Sequence, residues 1–196
     1  MRIAIDVDGV LADTMPVLND YYNQRFETNF KLEDYKCYDL EKTWKCKKEE
    51  SVKIFDDFCN SSYFLEIQPV EYAQESIDML ALRHDLIAVT SRSEFIHDKT
   101  ERFVKDYFGR RIDKIISTGK YDSLAVNSTK LSACSSERVD LLLENCLEIA
   151  VDSARNGIKT FLFNYPWNQL NGDYKEKLPN NFLRVRNWEN AVRKII

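Results

Sequence analysis

Residues 3–14 read Ile3-Ala4-Ile5-Asp6-Val7-Asp8-Gly9-Val10-Leu11-Ala12-Asp13-Thr14. A short apolar β run closes on two aspartates spaced by two, with Gly9 directly behind them. In an extended strand, residues two apart point to the same side, which puts the carboxylates of Asp6 and Asp8 together at the strand's end. Their repulsion in a partly dry site has to be offset by a bound cation, a shared proton or a covalent role for one of them. Oxygen-only ligands at a strand end suit Mg2+, which keeps waters and takes a few carboxylates plus substrate phosphate. One aspartate can then attack phosphorus while the other moves protons. The competing reading is a surface turn, since Asp-Gly is common there. Against it, Val10–Thr14 follows as the start of a helix with an N-cap.

The composition bounds the class. The chain has 196 residues, 44% apolar and 31% charged, with a net charge of −4. That suits one soluble domain, or one domain with an inserted subdomain. The negative charge argues against a nucleic-acid polymer as partner and leaves room for a small phosphorylated substrate held by local cations. No apolar run approaches a membrane span, and the N-terminus has no signal-peptide layout. Five cysteines without a Cys-x-x-Cys pair fit reduced thiols in a cytoplasm better than a zinc site or a disulfide framework. With only His84 and His97 present, His-based metal clusters are excluded. The oligomeric state stays open, a homodimer included.

Periodicity organises the rest. Strands are expected at Arg2–Val7, Asp85–Ser91, Ile112–Ser117, Val139–Leu143, Lys159–Phe163 and Phe182–Val185, with helices at 13–28, Glu71–Arg83, Ile96–Phe108, Thr129–Ser135, Leu147–Arg155 and Trp188–Ile196. A polar loop is expected from Ser117 through Asn127. Lys31–Tyr63 differs in character: Lys/Glu-rich, dotted with aromatics, free of β runs, it reads as a small helical insertion. Strand and helix alternate from Asp85 onward, which predicts an α/β fold with a parallel sheet and helices on both faces. Ligands on such sheets sit at the carboxyl ends of the strands.

Those ends carry polar residues. The second strand ends at Thr90-Ser91-Arg92, whose hydroxyls and backbone N–H groups could bind phosphate oxygens or merely cap the next segment. Lys130 opens the helix before a later core strand and reads equally as a solvated surface lysine. That strand ends at Glu144 and Asn145, able to approach a cation or simply to start a helix. In this order on this strand pattern they compose a metal-assisted phosphoryl-transfer site: an attacking carboxylate, a proton carrier, cations for the phosphoryl oxygens and donors to fix the group in line.

Together these residues resemble the haloacid dehalogenase superfamily of aspartate-nucleophile phosphatases. Asp6 through Thr14 is similar to its first motif, Thr90 to the second, Lys130 to the third and Glu144-Asn145 to the fourth. Val89–Arg92 and Gly157–Asn168 are similar to segments of the 5'(3')-deoxyribonucleotidase branch and its bacterial nucleotidase-like relatives. The resemblance implies a Rossmann-like core over residues 1–14 and 76–196, with a helical cap over 15–75. It implies Asp6 as nucleophile forming an aspartyl-phosphate, and Asp8 as proton donor and later activator of water. Thr90 and Lys130 would bind the phosphoryl group, helped by Gly9, Ser91 and Arg92. Asp6, Asp8 (through its backbone carbonyl), Glu144 and Asn145 would hold Mg2+. The family usually has an aspartate where Asn145 stands, which implies weaker metal binding here. Trp44, Phe55, Tyr63 and Phe64 are candidates for stacking on a nucleobase, against the alternative that they form the insertion's own core. The substrate is expected to be a nucleoside monophosphate. A sugar phosphate, or a non-catalytic phosphate binder that kept the fold, are the alternatives.

Overall fold

The computed structural model describes residues 1–119, 126–169 and 178–196, with the backbone alone for 126–128. Six strands form one parallel sheet in the order β3-β2-β1-β4-β5-β6: β1 (Arg2–Ile5), β2 (Asp85–Thr90), β3 (Lys114–Ser117), β4 (Leu141–Glu144), β5 (Lys159–Phe163) and β6 (Phe182–Val185). β1 lies in the middle, with Ile5 in register with Ala88 of β2 and Leu143 of β4.

Alternation decides the two faces, because successive side chains on a strand point oppositely. Ile3, Ile5, Leu141, Leu143, Phe161 and Phe163 enter one core together with Ile77, Val104 and Trp188. Ala4, Leu142, Ile87 and Val89 enter the other, with Cys134 and Ile149. The first face carries α4 (Ala73–Ala81), α5 (His97–Phe108) and α8 (Trp188–Ile195). The second carries α6 (Val126–Ser136) and α7 (Leu147–Arg155). Continuous apolar strands such as Leu141-Leu142-Leu143 follow from being covered on both sides.

Between β1 and α4 lies the helical insertion: α1 (Thr14–Phe26), α2 (Leu40–Trp44), α3 (Lys48–Cys59) and a 3-10 turn at Ser62–Glu66. Its two connections to the sheet run side by side, joined by Asp13 N–H to Gln68 O (2.8 Å) and Val70 N–H to Leu11 O (2.9 Å). The crossing therefore lies near residues 11–13 and 68–70, and Ala73–Glu75 belong to α4 on the sheet, not to the insertion as the 15–75 boundary had it. Asp13 stands at the N-cap of α1 but its side chain caps nothing.

The other boundaries moved little. α6 begins at Val126 instead of Thr129, so Lys130 sits a full turn inside it; Val-Asn-Ser has weak helix propensity and gives no start signal. Residues 120–125 of the polar loop expected before α6 lie outside the described residues. All five cysteines are free thiols. Among the described residues, no helix is long and apolar enough to cross a membrane.

Candidate active site

The chain leaves β1 after Ile5 and turns tightly. The carbonyl of Val7 accepts from the N–H groups of Val10, Leu11 and Ala12, and Gly9 takes a positive φ of 75°. The two aspartates thus do not continue the strand as a matched pair on one side. Each meets its own cation, and that is how their repulsion is reduced.

Asp6 belongs to an ion triad on the α6 face of the sheet. Lys130 Nζ lies 2.8 Å from Asp6 Oδ1 and 2.9 Å from Glu144 Oε2. All three are essentially buried, with Lys130 1% exposed and Glu144 0%. Asp6 Oδ1 also accepts from its neighbour Val7 N–H at 2.8 Å. Glu144 Oε1 accepts from the backbone N–H groups of Asn145 and Cys146, both at 3.0 Å. The reading of Lys130 as a solvated lysine is therefore replaced by its opposite. Glu144, expected to approach a cation, is placed against the ammonium of Lys130 and two backbone N–H groups. Among the described residues, no three His, Cys, Asp or Glu side chains converge as a metal cluster.

One ammonium serves two buried carboxylates, and the protonation states reflect it. Burial pushes the Asp6 carboxyl well up, the charge of Glu144 adds to this, and Lys130 opposes it. For Lys130, burial disfavours the charge, but Asp6 and Glu144 outweigh it and its pKa is raised.

Asp8 is held differently. Arg92 Nη2 donates to its Oδ1 at 2.7 Å and Arg92 Nε to its Oδ2 at 3.0 Å, a bidentate fork, and the Thr14 hydroxyl donates to Oδ1 as well. Burial alone would raise the Asp8 carboxyl; the guanidinium and the hydroxyl overcome it and lower its pKa. Arg92 is itself 2% exposed. The structure places this residue, expected beside the phosphate, as the partner of Asp8. Thr90 and Ser91 are buried beside it at the carboxyl end of β2, and Thr90 Oγ1 accepts from Arg92 N–H at 3.1 Å.

Asn145 completes the corner. A Cβ on Gly9 would stand 2.2 Å from Asn145 Nδ2, so only glycine lets the loop pass this side chain. Asn168 Nδ2 holds the adjoining backbone, donating to the carbonyls of Asn145 and Phe163, both at 2.7 Å. Asn145 Oδ1 is buried and has no hydrogen-bond partner, an acceptor left open where a polar group should be paired. That open oxygen, with the buried charge left over around Lys130, fits a small hard cation taking oxygen donors. Asp6, the Asp8 carbonyl and Asn145 are the residues that could hold it. Gly9→Ala is expected to displace Asn145 and strain the loop, costing about 1–3 kcal/mol. Thermal melting, and Mg2+ titration showing weakened binding, would check it.

Above this corner, Asp8, Gly9 and Asn145 face Leu18, Tyr35 and Phe55 of the insertion and Trp167 after β5 across a cavity of about 40 Å3. Three of the four proposed stacking residues, Trp44, Tyr63 and Phe64, are elsewhere. Trp44 stacks on Tyr22 (4.2 Å, 10°) and donates from Nε1 to Tyr35 Oη, and Tyr63 packs edge-on against Tyr21 and donates to Gln24. Both belong to the insertion's own packing, because burying aromatic area is what holds so small a helical unit together. Phe55 does line the cavity, while Phe64 covers Arg92. Sequence reading missed the roles of Thr100, which binds Arg92, and of Asn168. Neither lies in a recognisable pattern, although Asn168 stands in the Pro166-Trp167-Asn168 segment.

The family model described as "5' nucleotidase, deoxy (Pyrimidine), cytosolic type C protein" matches residues 1–196. The chain belongs to this nucleotidase family. It is 30% identical over 202 residues to "Putative nucleotidase YqfW" of Bacillus subtilis, covering 98% of this chain and 92% of that protein. It is 25% identical over 194 residues to "Putative nucleotidase BH1399" of Halalkalibacterium halodurans, covering 97% and 90%. A haloacid dehalogenase-like family hydrolase from Streptococcus pneumoniae has the same fold, with a TM-score of 0.74 at 12% identity over 100% of this chain and 98% of that one. This nucleotidase-family protein thus has the fold of a haloacid dehalogenase-like hydrolase and is a phosphoric monoester hydrolase of the 5'-nucleotidase type.

Proposed function

We propose that the protein hydrolyses nucleoside monophosphates, deoxyribonucleotides foremost, in a Mg2+-dependent reaction through an aspartyl-phosphate on Asp6. The reading rests above all on the triad Asp6–Lys130–Glu144 at the carboxyl end of the central strand. Glu144, held by two backbone N–H groups, fixes the ammonium beside Asp6, the carboxylate that directly follows the central strand. The names carried by the family and its two bacterial relatives support a nucleotide as substrate. So does the lining of the cavity by Leu18, Tyr35, Phe55 and Trp167, which suits an aromatic ring better than the hydroxyls of a sugar phosphate.

In the first half-reaction a carboxylate oxygen of Asp6 attacks phosphorus. The ester P–O bond breaks, its electron pair leaves on the alcohol oxygen, and Asp8 supplies that oxygen's proton. At rest the Arg92 fork keeps Asp8 ionised, so the proton it hands on arrives with the monoanionic form of the ester. In the second half-reaction Asp8 takes a proton from water as the water oxygen attacks phosphorus; the bond to Asp6 breaks, phosphate leaves, and Asp8 returns to its ionised state by releasing that proton to solvent. Lys130 and the Thr90-Ser91 segment hold the phosphoryl oxygens. Bound Mg2+ would neutralise those oxygens. A cavity of about 40 Å3 admits a water or two, so the insertion, read as a cap, has to lift before a nucleotide binds.

A panel of nucleoside monophosphates and sugar phosphates, assayed with Mg2+ and with EDTA, tests the reading. Nucleotides should be turned over fastest, and EDTA should stop the reaction. Faster hydrolysis of a sugar phosphate would move the substrate class. Ligand binding without hydrolysis of any ester would make the protein a binding module.

Asn145→Asp should tighten Mg2+ about tenfold, roughly the effect of one added ligand charge, while lowering the melting temperature without metal because it adds another carboxylate to the corner. Calorimetric titration of both forms checks this, and equal affinities would refute the role given to Asn145.

A further inference from the structure

We propose that Arg92 is a positioning residue for Asp8 and that the insertion's Phe64 couples this positioning to the seating of the insertion on the sheet. The proposal rests on the proton-transfer role given to Asp8 above.

Three of the five guanidinium N–H groups of Arg92 are spent inside the protein. Nε and Nη2 grip the two Asp8 oxygens, and Nη1 donates to Thr100 Oγ1 at 3.2 Å. Thr100 in turn donates to Ile96 O at 3.0 Å, which fixes the acceptor on α5. The fork is thus braced by a helix of the sheet domain. A lysine could not reproduce it, since an ammonium is a point charge without the planar geometry that matches a carboxylate.

The guanidinium's face is covered from the other side. Its Cζ lies 4.9 Å from the ring centroid of Phe64, in the 3-10 turn that closes the insertion. Phe64 packs edge-on against Phe58 of α3, so the ring is fixed by the insertion's own core. Beside it Lys99 Nζ donates to Cys59 O at 2.6 Å and lies 5.7 Å from the same ring. A groove of about 590 Å3, lined by Phe64, Lys99, Phe103 and Tyr107, runs behind Arg92. Arg92 itself lines this groove, so Phe64 shields one face of the guanidinium from it, and without the ring water would compete more strongly for the fork that orients Asp8.

Two esters separate this role from substrate binding. The alkyl leaving group of thymidine 5'-monophosphate needs a proton; the leaving group of 4-nitrophenyl phosphate departs without one. Because kcat/KM reports the first half-reaction, Arg92→Lys should lower it about 10- to 100-fold for the nucleotide and far less for the aryl ester. Equal losses on both esters would overturn the proposal and return Arg92 to phosphate binding or general stability. Phe64→Leu, which stays folded if Arg92→Lys does not, should shift the same ratio in the same direction by about 3- to 10-fold, the worth of a partly buried cation–π contact; an unchanged ratio would overturn the coupling. Crystal structures of Arg92→Lys and the wild type read the positioning without turnover. The Asp8 carboxylate displaced in the variant supports the proposal, and an unmoved one refutes it. If the wild type hydrolyses neither ester, the hydrolase reading has failed, while the crystallographic comparison still decides the role of Arg92.

Discussion

Asp6→Asn is expected to abolish turnover, by at least about ten-thousand-fold, because the variant keeps the pocket but loses the attacking oxygen's charge. The same substitution should raise thermal stability. In the wild type, Lys130 is shared between Asp6 and Glu144, and burial with the Glu144 charge pushes the Asp6 carboxyl above its ordinary 3.8. The folded state therefore binds the Asp6 proton more tightly than the unfolded chain does. The stability from that proton is fully present below the unfolded value and is lost as pH rises through the raised folded one. Asparagine is neutral throughout and escapes the loss. In metal-free buffer the melting temperature of Asp6→Asn should exceed that of the wild type by a margin that grows from acid toward neutral pH. Differential scanning calorimetry across that range, paired with the ester assay, checks both halves. A variant that is inactive yet no more stable would show that the carboxylate is better compensated than the triad suggests.

Lys130→Met should have the largest effect on the fold. It strands Asp6 and Glu144, both buried, without their cation, and breaking a buried pair by removing one partner costs about 3–5 kcal/mol. For a domain of this size that is a fall in melting temperature of about 6–20 °C. The deficit should shrink at low pH, where the stranded carboxylates take up protons. Turnover should drop by about 100- to 1,000-fold or more, the usual consequence of losing a charge that stabilises developing negative oxygen. Chemical denaturation at neutral and acidic pH separates the electrostatic share from simple loss of packing. An equal deficit at both pH values would mean that Lys130 contributes mainly through its buried stem.

How far these residues could be read from the chain varied with the physics behind each. Asp6, Asp8 and Gly9 stand in one continuous stretch, and their neighbourhood is local: a strand, a turn, a helix start. Thr90 follows from the alternation of strands and helices, since the carboxyl ends of parallel strands converge at one edge of the sheet; Lys130, on a helix, is singled out by the family resemblance alone. The partners of these residues were less legible. That Arg92 serves Asp8 across 84 positions, or that Glu144 accepts from Lys130 and two backbone N–H groups, depends on side-chain directions that no local pattern encodes. The insertion's aromatics show the same limit. Trp44, Tyr63 and Phe55 look alike in a row of letters, and only packing separates the first two, locked among Tyr22, Tyr35 and Tyr21, from the third, which faces the cavity.

By itself, then, the sequence determined the parallel α/β sheet, the position of the helical insertion and the place of the acidic pair at the end of the first strand. All three arise from short-range periodicity and from motifs held in unbroken segments. Tertiary structure alone decided which cation neutralises which aspartate, which carboxylates share Lys130 and which aromatic rings line the cleft. Those outcomes are set by long-range contacts formed on burial, where a buried charge must find a partner and each donor can be used only once.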